Sequence, residues 1–146
     1  MKISTKGRYG LRILLDLALH ENKMPRMIRD IAGSQQISEK YISRLIIALR
    51  RAGMVCSIRG AKGGFRLAKT PEELTLLDVL EVMEGPLSIV DCVHAPKTCT
   101  RHENCAVREI WQGVNSEIRE TMRKITLRTL VEKYRIHGPA EIDYCI

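Results

Sequence analysis

The spacing of apolar residues between positions 38 and 53 limits the architecture of this chain more than any other feature. Ile42, Leu45, Ile46 and Leu49 form a stripe on one face of a helix, while Lys40, Ser43, Arg44, Arg50 and Arg51 fall on the other. Ser38 is suited to cap that helix, because its hydroxyl can accept an orphan backbone N–H, and Gly53 is placed to end it. A shorter amphipathic segment precedes it. Ile28, Ile31 and Ala32 face inward there, Gly33 is the expected C-terminal cap, and Gln35-Gln36-Ile37 is a tight connection. A short helix, a tight turn and a helix with a basic outer face is the helix-turn-helix pattern. Upstream, Leu11, Leu14, Leu15, Ala18 and Leu19 repeat at helical spacing, which predicts a helix over about 5–20, broken by residues 22–25.

The residues after Gly53 sharpen the pattern. Residues 54–58 read as a strand, RGAKGG (59–64) as a glycine-rich turn, and 65–68 as the returning strand. A hairpin directly after the third helix is a wing. Arg59 and Lys62 sit at its tip, and its glycines permit positive φ and close approach to a partner. The turn lacks the Gly-Lys-Ser/Thr and following helix of a nucleotide-binding loop. Cys56 alternates with apolar residues and reads as a small buried hydrophobe.

Charge divides the chain. Residues 1–70 hold 15 Lys/Arg and four Asp/Glu, a net +11, whereas residues 71–146 hold nine and 13, a net −4. A basic front half joined to a slightly acidic back half suggests a nucleic-acid-binding module carrying a second function. The expected organisation is a DNA-binding unit over 1–70 and a loop-and-helix unit over 71–146. The fold class is mainly α with a small β-hairpin wing: a winged helix-turn-helix plus a long C-terminal dimerisation helix.

In the second unit, residues 70–73 read as the start of a helical turn, and Thr75 with Asp78 as a capping box. That box opens a helix to about residue 84, with Leu76, Val79, Leu80 and Met83 inward, stopped by Gly85-Pro86. Val107, Ile110, Trp111, Val114, Ile118, Met122 and Ile125 predict a helix from about 105 to 124, roughly 30 Å long. Such a stripe suits pairing with a second copy, and two winged helices match two DNA half-sites. Thr126 caps a last short helix through Leu127, Leu130 and Val131, and the tail after His137 reads as loose.

Between these helices lies DCVHAPKTCTRHENCAVREIW, residues 91–111, with Cys92, Cys99 and Cys105. No secretory cleavage site follows the first apolar segment and no apolar run approaches a membrane span, so a cytoplasmic protein is expected. Thiols clustered in that compartment point to metal binding or redox chemistry rather than structural disulfides. Gaps of six and five residues let a loop wrap an iron–sulfur cluster and are looser than a zinc CxxC pair. Cys105 lies at a helix start, where the dipole favours thiolate, with Arg101 and Arg108 adding to that. A zinc site and a metal-free thiol switch stand as alternatives. The local candidates for a fourth ligand are His94, His102 and Glu103, with Cys56 and Cys145 as outsiders.

Taken together, the opening KISTKGRYGLR, the wing RGAKGGF and the three-cysteine loop ahead of an Ile-Trp helix resemble the IscR/NsrR-type family of bacterial iron–sulfur winged-helix regulators. The resemblance covers nearly all of residues 1–130, in order. It implies a homodimeric DNA-binding transcription regulator, generally a repressor, whose DNA affinity is tuned by a cluster on Cys92, Cys99 and Cys105. A 2Fe–2S cluster is favoured over 4Fe–4S. It places residues 40–44 in the major groove and residues 59–64 at the minor groove, so the DNA-binding candidates are Lys40, Ser43, Arg44, Arg59, Lys62, Gly63 and Gly64. The sequence departs from the family at the fourth ligand. Arg108 stands where one branch has histidine, and Arg8 stands near the place where another draws an acid from the partner chain. Iron–sulfur assembly or redox-stress genes are the expected targets.

An enzyme is not expected: Cys105 and His102 have no orienting third residue and no oxyanion arrangement. The expected partners are double-stranded operator DNA and a second copy of the chain, with no membrane and no small-molecule substrate.

Overall fold

The structure, a computed structural model, describes residues 1–138. Its elements run α1 (Thr5–Leu19), α2 (Ile28–Gln35), α3 (Glu39–Arg51), β1 (Val55–Ile58), β2 (Gly64–Leu67), α4 (Leu76–Glu84), α5 (Asp91–His94), α6 (Ala106–Lys124) and α7 (Leu127–His137). Two 3₁₀ turns, Pro96–Thr98 and His102–Asn104, lie between α5 and α6. Cys145 and the tail beyond residue 138 lie outside the described residues.

Hydroxyl caps start most of the longer helices. The side chains of Ser4, Ser38, Thr75 and Thr126 accept the N–H groups of Lys6, Tyr41, Asp78 and Thr129. Asp78 completes the capping box on α4. Helix α6 begins differently: its N-cap is Cys105, whose Sγ accepts the Arg108 N–H at 3.4 Å.

Three local expectations shift. Helix α2 runs through Gly33 to Gln35, and Gln36, at φ 53°, makes the left-handed turn. That turn lets Ile37 donate to the Ala32 carbonyl and reach the core, which a stop at Gly33 would prevent. Residues 70–73 form a turn, not a helix. The Glu73 carboxylate accepts from the Thr70 N–H and hydroxyl at 2.8 and 2.9 Å, and the Pro71 carbonyl is taken by the Arg128 N–H of α7. In α4 the buried set is Leu77, Val79, Leu80 and Met83, with Leu76 half-buried. Helix α4 packs between α1 and α6, so it needs two apolar faces: Leu77 and Leu80 join Leu87, Ile3 and Met122 in a second cluster.

The main core gathers Ile13, Leu14 and Leu17 of α1, Ile31, the α3 stripe Ile42, Leu45, Ile46 and Leu49, and Met54 and Val55. It continues into Leu74, Val79, Met83, Leu127 and Val131, so the apolar interior crosses the charge boundary near residue 70. Glycines allow α1 to lie close against α4. A Cβ at Gly7 would stand 2.6 Å from a Glu84 carboxylate oxygen, and one at Gly10 would stand 2.8 Å from Met83. The Glu84 carboxylate closes this contact by accepting from the Ser4 N–H (3.0 Å), the Ser4 hydroxyl (2.7 Å) and the Gly7 N–H (3.0 Å). Burial opposes its charge. The hydrogen bonds from Ser4 and Gly7, with Lys6 nearby, outweigh burial and hold its carboxyl below the usual range.

The wing pairs β1 and β2 antiparallel, Val55 opposite Leu67 and Ile58 opposite Gly64. Arg26 adds a bridge to Phe65, with reciprocal backbone bonds of 3.0 and 2.8 Å. The wing is therefore fastened to the segment leading into α2.

Candidate DNA-reading surface and thiol loop

Helix α3 has a buried apolar stripe, which fixes its orientation and turns Lys40 and Arg44 into solvent. Neither side chain has a hydrogen-bond or ion-pair partner among the described residues. Ser43 is half-buried, and its hydroxyl donates to the Glu39 carbonyl at 2.7 Å. That back-bond uses its proton on the helix, so the Ser43 hydroxyl keeps only acceptor capacity for other partners. Arg59 and Lys62 are exposed at the wing tip. The wing glycines serve packing within the chain. Gly63 is buried, and a Cβ there would meet the Ile58 carbonyl oxygen at 2.2 Å; at Gly64, with φ 151°, it would meet the Arg26 carbonyl oxygen at 2.5 Å. These two glycines shape the wing that presents Arg59 and Lys62.

A polar network missed in the sequence holds this surface together. Asp16 of α1 is 1% exposed. Its carboxylate accepts from Arg26 Nε (2.8 Å) and Nη2 (3.3 Å), from Gln35 Nε2 (3.3 Å) and from the Ser34 hydroxyl. Arg12 reaches the Gln35 side chain and carbonyl from α1. One buried carboxylate thus links α1, both ends of α2 and, through the Arg26 backbone, the wing. The sequence signal was a lone acid inside the apolar run LLDLAL.

The three thiols lie in the connection between α4 and α6. Cys92 is in α5, Cys99 follows the first 3₁₀ turn, and Cys105 caps α6; all three are half-buried and, among the described residues, unpaired. Among the described residues no three His, Cys, Asp or Glu side chains converge to hold a metal ion. His102 and Glu103 line the same cleft as Cys105, with His102 Nδ1 2.8 Å from the Cys99 carbonyl oxygen. His94 faces another cavity, with Glu81, Asn115 and Arg119. Arg108 occupies the middle of the loop. Its Nε donates to the Cys92 carbonyl (3.0 Å) and its Nη1 to the His102 carbonyl (3.2 Å). The loop offers three cysteine sulfurs as soft donors, while the Arg108 guanidinium offers no lone pair.

The loop opens into α6, whose first half carries exposed apolar side chains: Val107 at 63%, Ile110 at 67%, Trp111 at 40% and Val114 at 42%. Its second half turns Ile118 and Met122 inward, and Asn115 is buried with Oδ1 accepting the Ile89 N–H at 3.1 Å. Among the described residues no helix is long and apolar enough to cross a membrane.

Comparison with known proteins agrees with this geometry. Residues 3–133 match the Rrf2 family model, described as an iron-dependent transcriptional regulator. The transcriptional regulator CymR of Bacillus subtilis is 40% identical over 130 residues, 89% of each chain. The solved structure of CymR, the global cysteine regulator of B. subtilis, superposes with a TM-score of 0.79 at 38% identity, covering 91% of this chain and 98% of that one. The structure of IscR from T. potens gives 0.76 at 33% identity, covering 97% and 93%. The hairpin behind α3 is thus the wing of a winged-helix regulator, and the chain belongs to the Rrf2 family of DNA-binding transcriptional regulators.

Proposed function

We propose that the protein is a homodimeric repressor whose affinity for operator DNA is set by an iron–sulfur cluster on Cys92, Cys99 and Cys105. The observation that carries this reading is the position of Cys105. It ends the thiol loop and caps α6 at once, so what the thiols hold acts on the start of the helix with the exposed apolar stripe. A cluster supplies redox sensitivity to such a site. The family description as iron-dependent and the thiolate donor set support it. His102 and Glu103, beside Cys105, are better placed as a fourth ligand than His94. We take 2Fe–2S as the cluster type and genes of iron–sulfur assembly or redox stress as the targets.

In the dimer, the α6 stripes pair and set the spacing of two winged helices. Lys40 and Arg44 of each enter the major groove, Ser43 accepts from a base edge, and Arg59 and Lys62 reach along the minor groove, aided by the close-packed Gly63 and Gly64. Altering the start of α6 alters that spacing and the fit to two half-sites. Repression follows from occupying the operator.

A metal-free thiol switch is the second reading. It is favoured by one observation: the thiols do not converge as the loop stands. Anaerobic purification, the visible spectrum and iron and sulfide analysis, on the native chain and on Cys92→Ala, separate the two. A coloured protein with matched iron and sulfide, lost in the variant, is expected. A colourless protein with reactive thiols sinks the cluster and leaves the thiol switch.

A further inference from the structure

We propose that Arg108 is the positioning residue of the thiol loop: a clamp that closes the loop before anything binds, not a ligand. The inference rests on the reading of residues 92–105 as the sensing site, and deepens it. Two side-chain bonds carry it, beside one backbone bond that any residue at this position would make. Its backbone N–H donates to Cys105 Sγ at 3.4 Å, its Nε to the Cys92 carbonyl at 3.0 Å, and its Nη1 to the His102 carbonyl at 3.2 Å. The first thiol residue, the last thiol residue and the turn between them are thereby tied to one point on the first turn of α6. His102 extends the chain of contacts to the remaining cysteine, with Nδ1 2.8 Å from the Cys99 carbonyl oxygen.

The chemistry suits a clamp. A guanidinium presents several N–H donors in a rigid plane, stays charged at any working pH and has no lone pair for a metal. Arg108 is half-buried, so its bonds compete less with water than those of an exposed arginine would. Its side chain bonds only main-chain carbonyls, so the guanidinium fixes the course of the backbone without drawing on a thiol. A loop closed in this way costs less ordering entropy when it takes up a ligand.

The test uses the full chain, reduced and metal-free, and reads backbone amide hydrogen exchange by peptide. Native protein, Arg108→Ala and Arg108→Lys are compared. Arg108→Ala is expected to exchange roughly tenfold faster over 91–105, as the loss of about 1.4 kcal/mol of closed-loop preference requires, with α1 and α3 unchanged. Lys keeps the charge but not the planar fork, so it should restore only part of the protection. Unchanged exchange over 91–105 in Arg108→Ala, or faster exchange everywhere, overturns the clamp. Full recovery with Lys overturns the fork geometry on which it rests.

A second readout separates clamp from ligand. After reconstitution with iron and sulfide, Arg108→Ala should show the native visible bands but lose them faster; shifted bands would make Arg108 a ligand and overturn the proposal. A native chain that takes up no cluster defeats the cluster reading alone, because the exchange experiment judges the clamp in metal-free protein.

Discussion

Asp16 and Arg26 meet in a two-point ion pair, Nε to Oδ1 at 2.8 Å and Nη2 to Oδ2 at 3.3 Å, with the carboxylate almost wholly buried. Removing one partner strands the other. Arg26→Ala leaves the buried carboxylate with Gln35, Ser34 and, at 3.7 Å, His20 Nδ1, and should cost about 3–5 kcal/mol of folding stability. Exchanging both, to Asp16→Leu with Arg26→Met, should cost far less than the two single changes combined. Urea denaturation of the three variants checks this, and simple additivity would rule out the coupling.

Gly7 is fixed by the approach of α4. Gly7→Ala puts a methyl into the position of the Glu84 oxygen and against Leu80. We expect a loss of about 1–3 kcal/mol, as for overpacking, despite alanine's better helix propensity. A thermal melt at or above the native midpoint would show that α1 and α4 separate more freely than their contact suggests.

The Glu84 carboxyl also sets a pH dependence. Its folded pKa lies below the ordinary glutamate value, so its stabilisation is complete above that ordinary value and is lost as pH falls through the folded pKa. Glu84→Gln should lower stability near neutrality and flatten its dependence on pH on the acid side. Denaturation midpoints from neutral pH into the acid range give the slope, and an unchanged slope removes Glu84 from the account.

On DNA, Arg44 and Lys40 should behave differently. Arg44→Ala is expected to cost about 1–3 kcal/mol on the specific operator and to relax preference at one base pair. Lys40→Ala should weaken all sequences alike and reduce the salt slope by about 1. Titrations on specific and scrambled duplexes at several salt concentrations decide. An equal loss on both duplexes for Arg44→Ala would assign it to phosphate.

The stripe on α6 is testable without DNA. Trp111→Glu places a charge among Val107, Ile110 and Val114 and should turn a dimer into monomer by sedimentation, with the winged-helix core still folded. A native monomer, or an unperturbed dimer in the variant, would mean that this face serves another purpose.

The helix-turn-helix and the wing were legible because their signals are local. Ser38, the stripe Ile42 to Leu49, Gly53 and the wing turn lie next to one another, and each has its own mechanical reason. Thr75 with Asp78 was equally readable. What stayed hidden depends on partners distant in sequence or on main-chain atoms. Asp16 looks like a surface interruption until Arg26 and Ser34 fold back on it. Gly7 and Gly10 become necessary only once α4, some 70 residues later, lies on them. Arg108 could be recognised from sequence as a cation that is no ligand, but its partners are carbonyls and leave no trace in residue type. Residues 70–73 use their helix-start signals in a single turn, closed between Thr70 and Glu73, that does not continue as a helix.

The cap on α6 sets this helix apart from α1, α3, α4 and α7. Those four begin on an oxygen, which no oxidant, alkylating agent or metal in a cell readily claims. Helix α6 begins on a sulfur, a weak acceptor with a wide choice of competing bonds. Any change at the Cys105 sulfur therefore falls on an atom that the backbone of α6 already uses, through the Arg108 N–H. None of the four hydroxyl-capped helices joins its first turn to so reactive an atom.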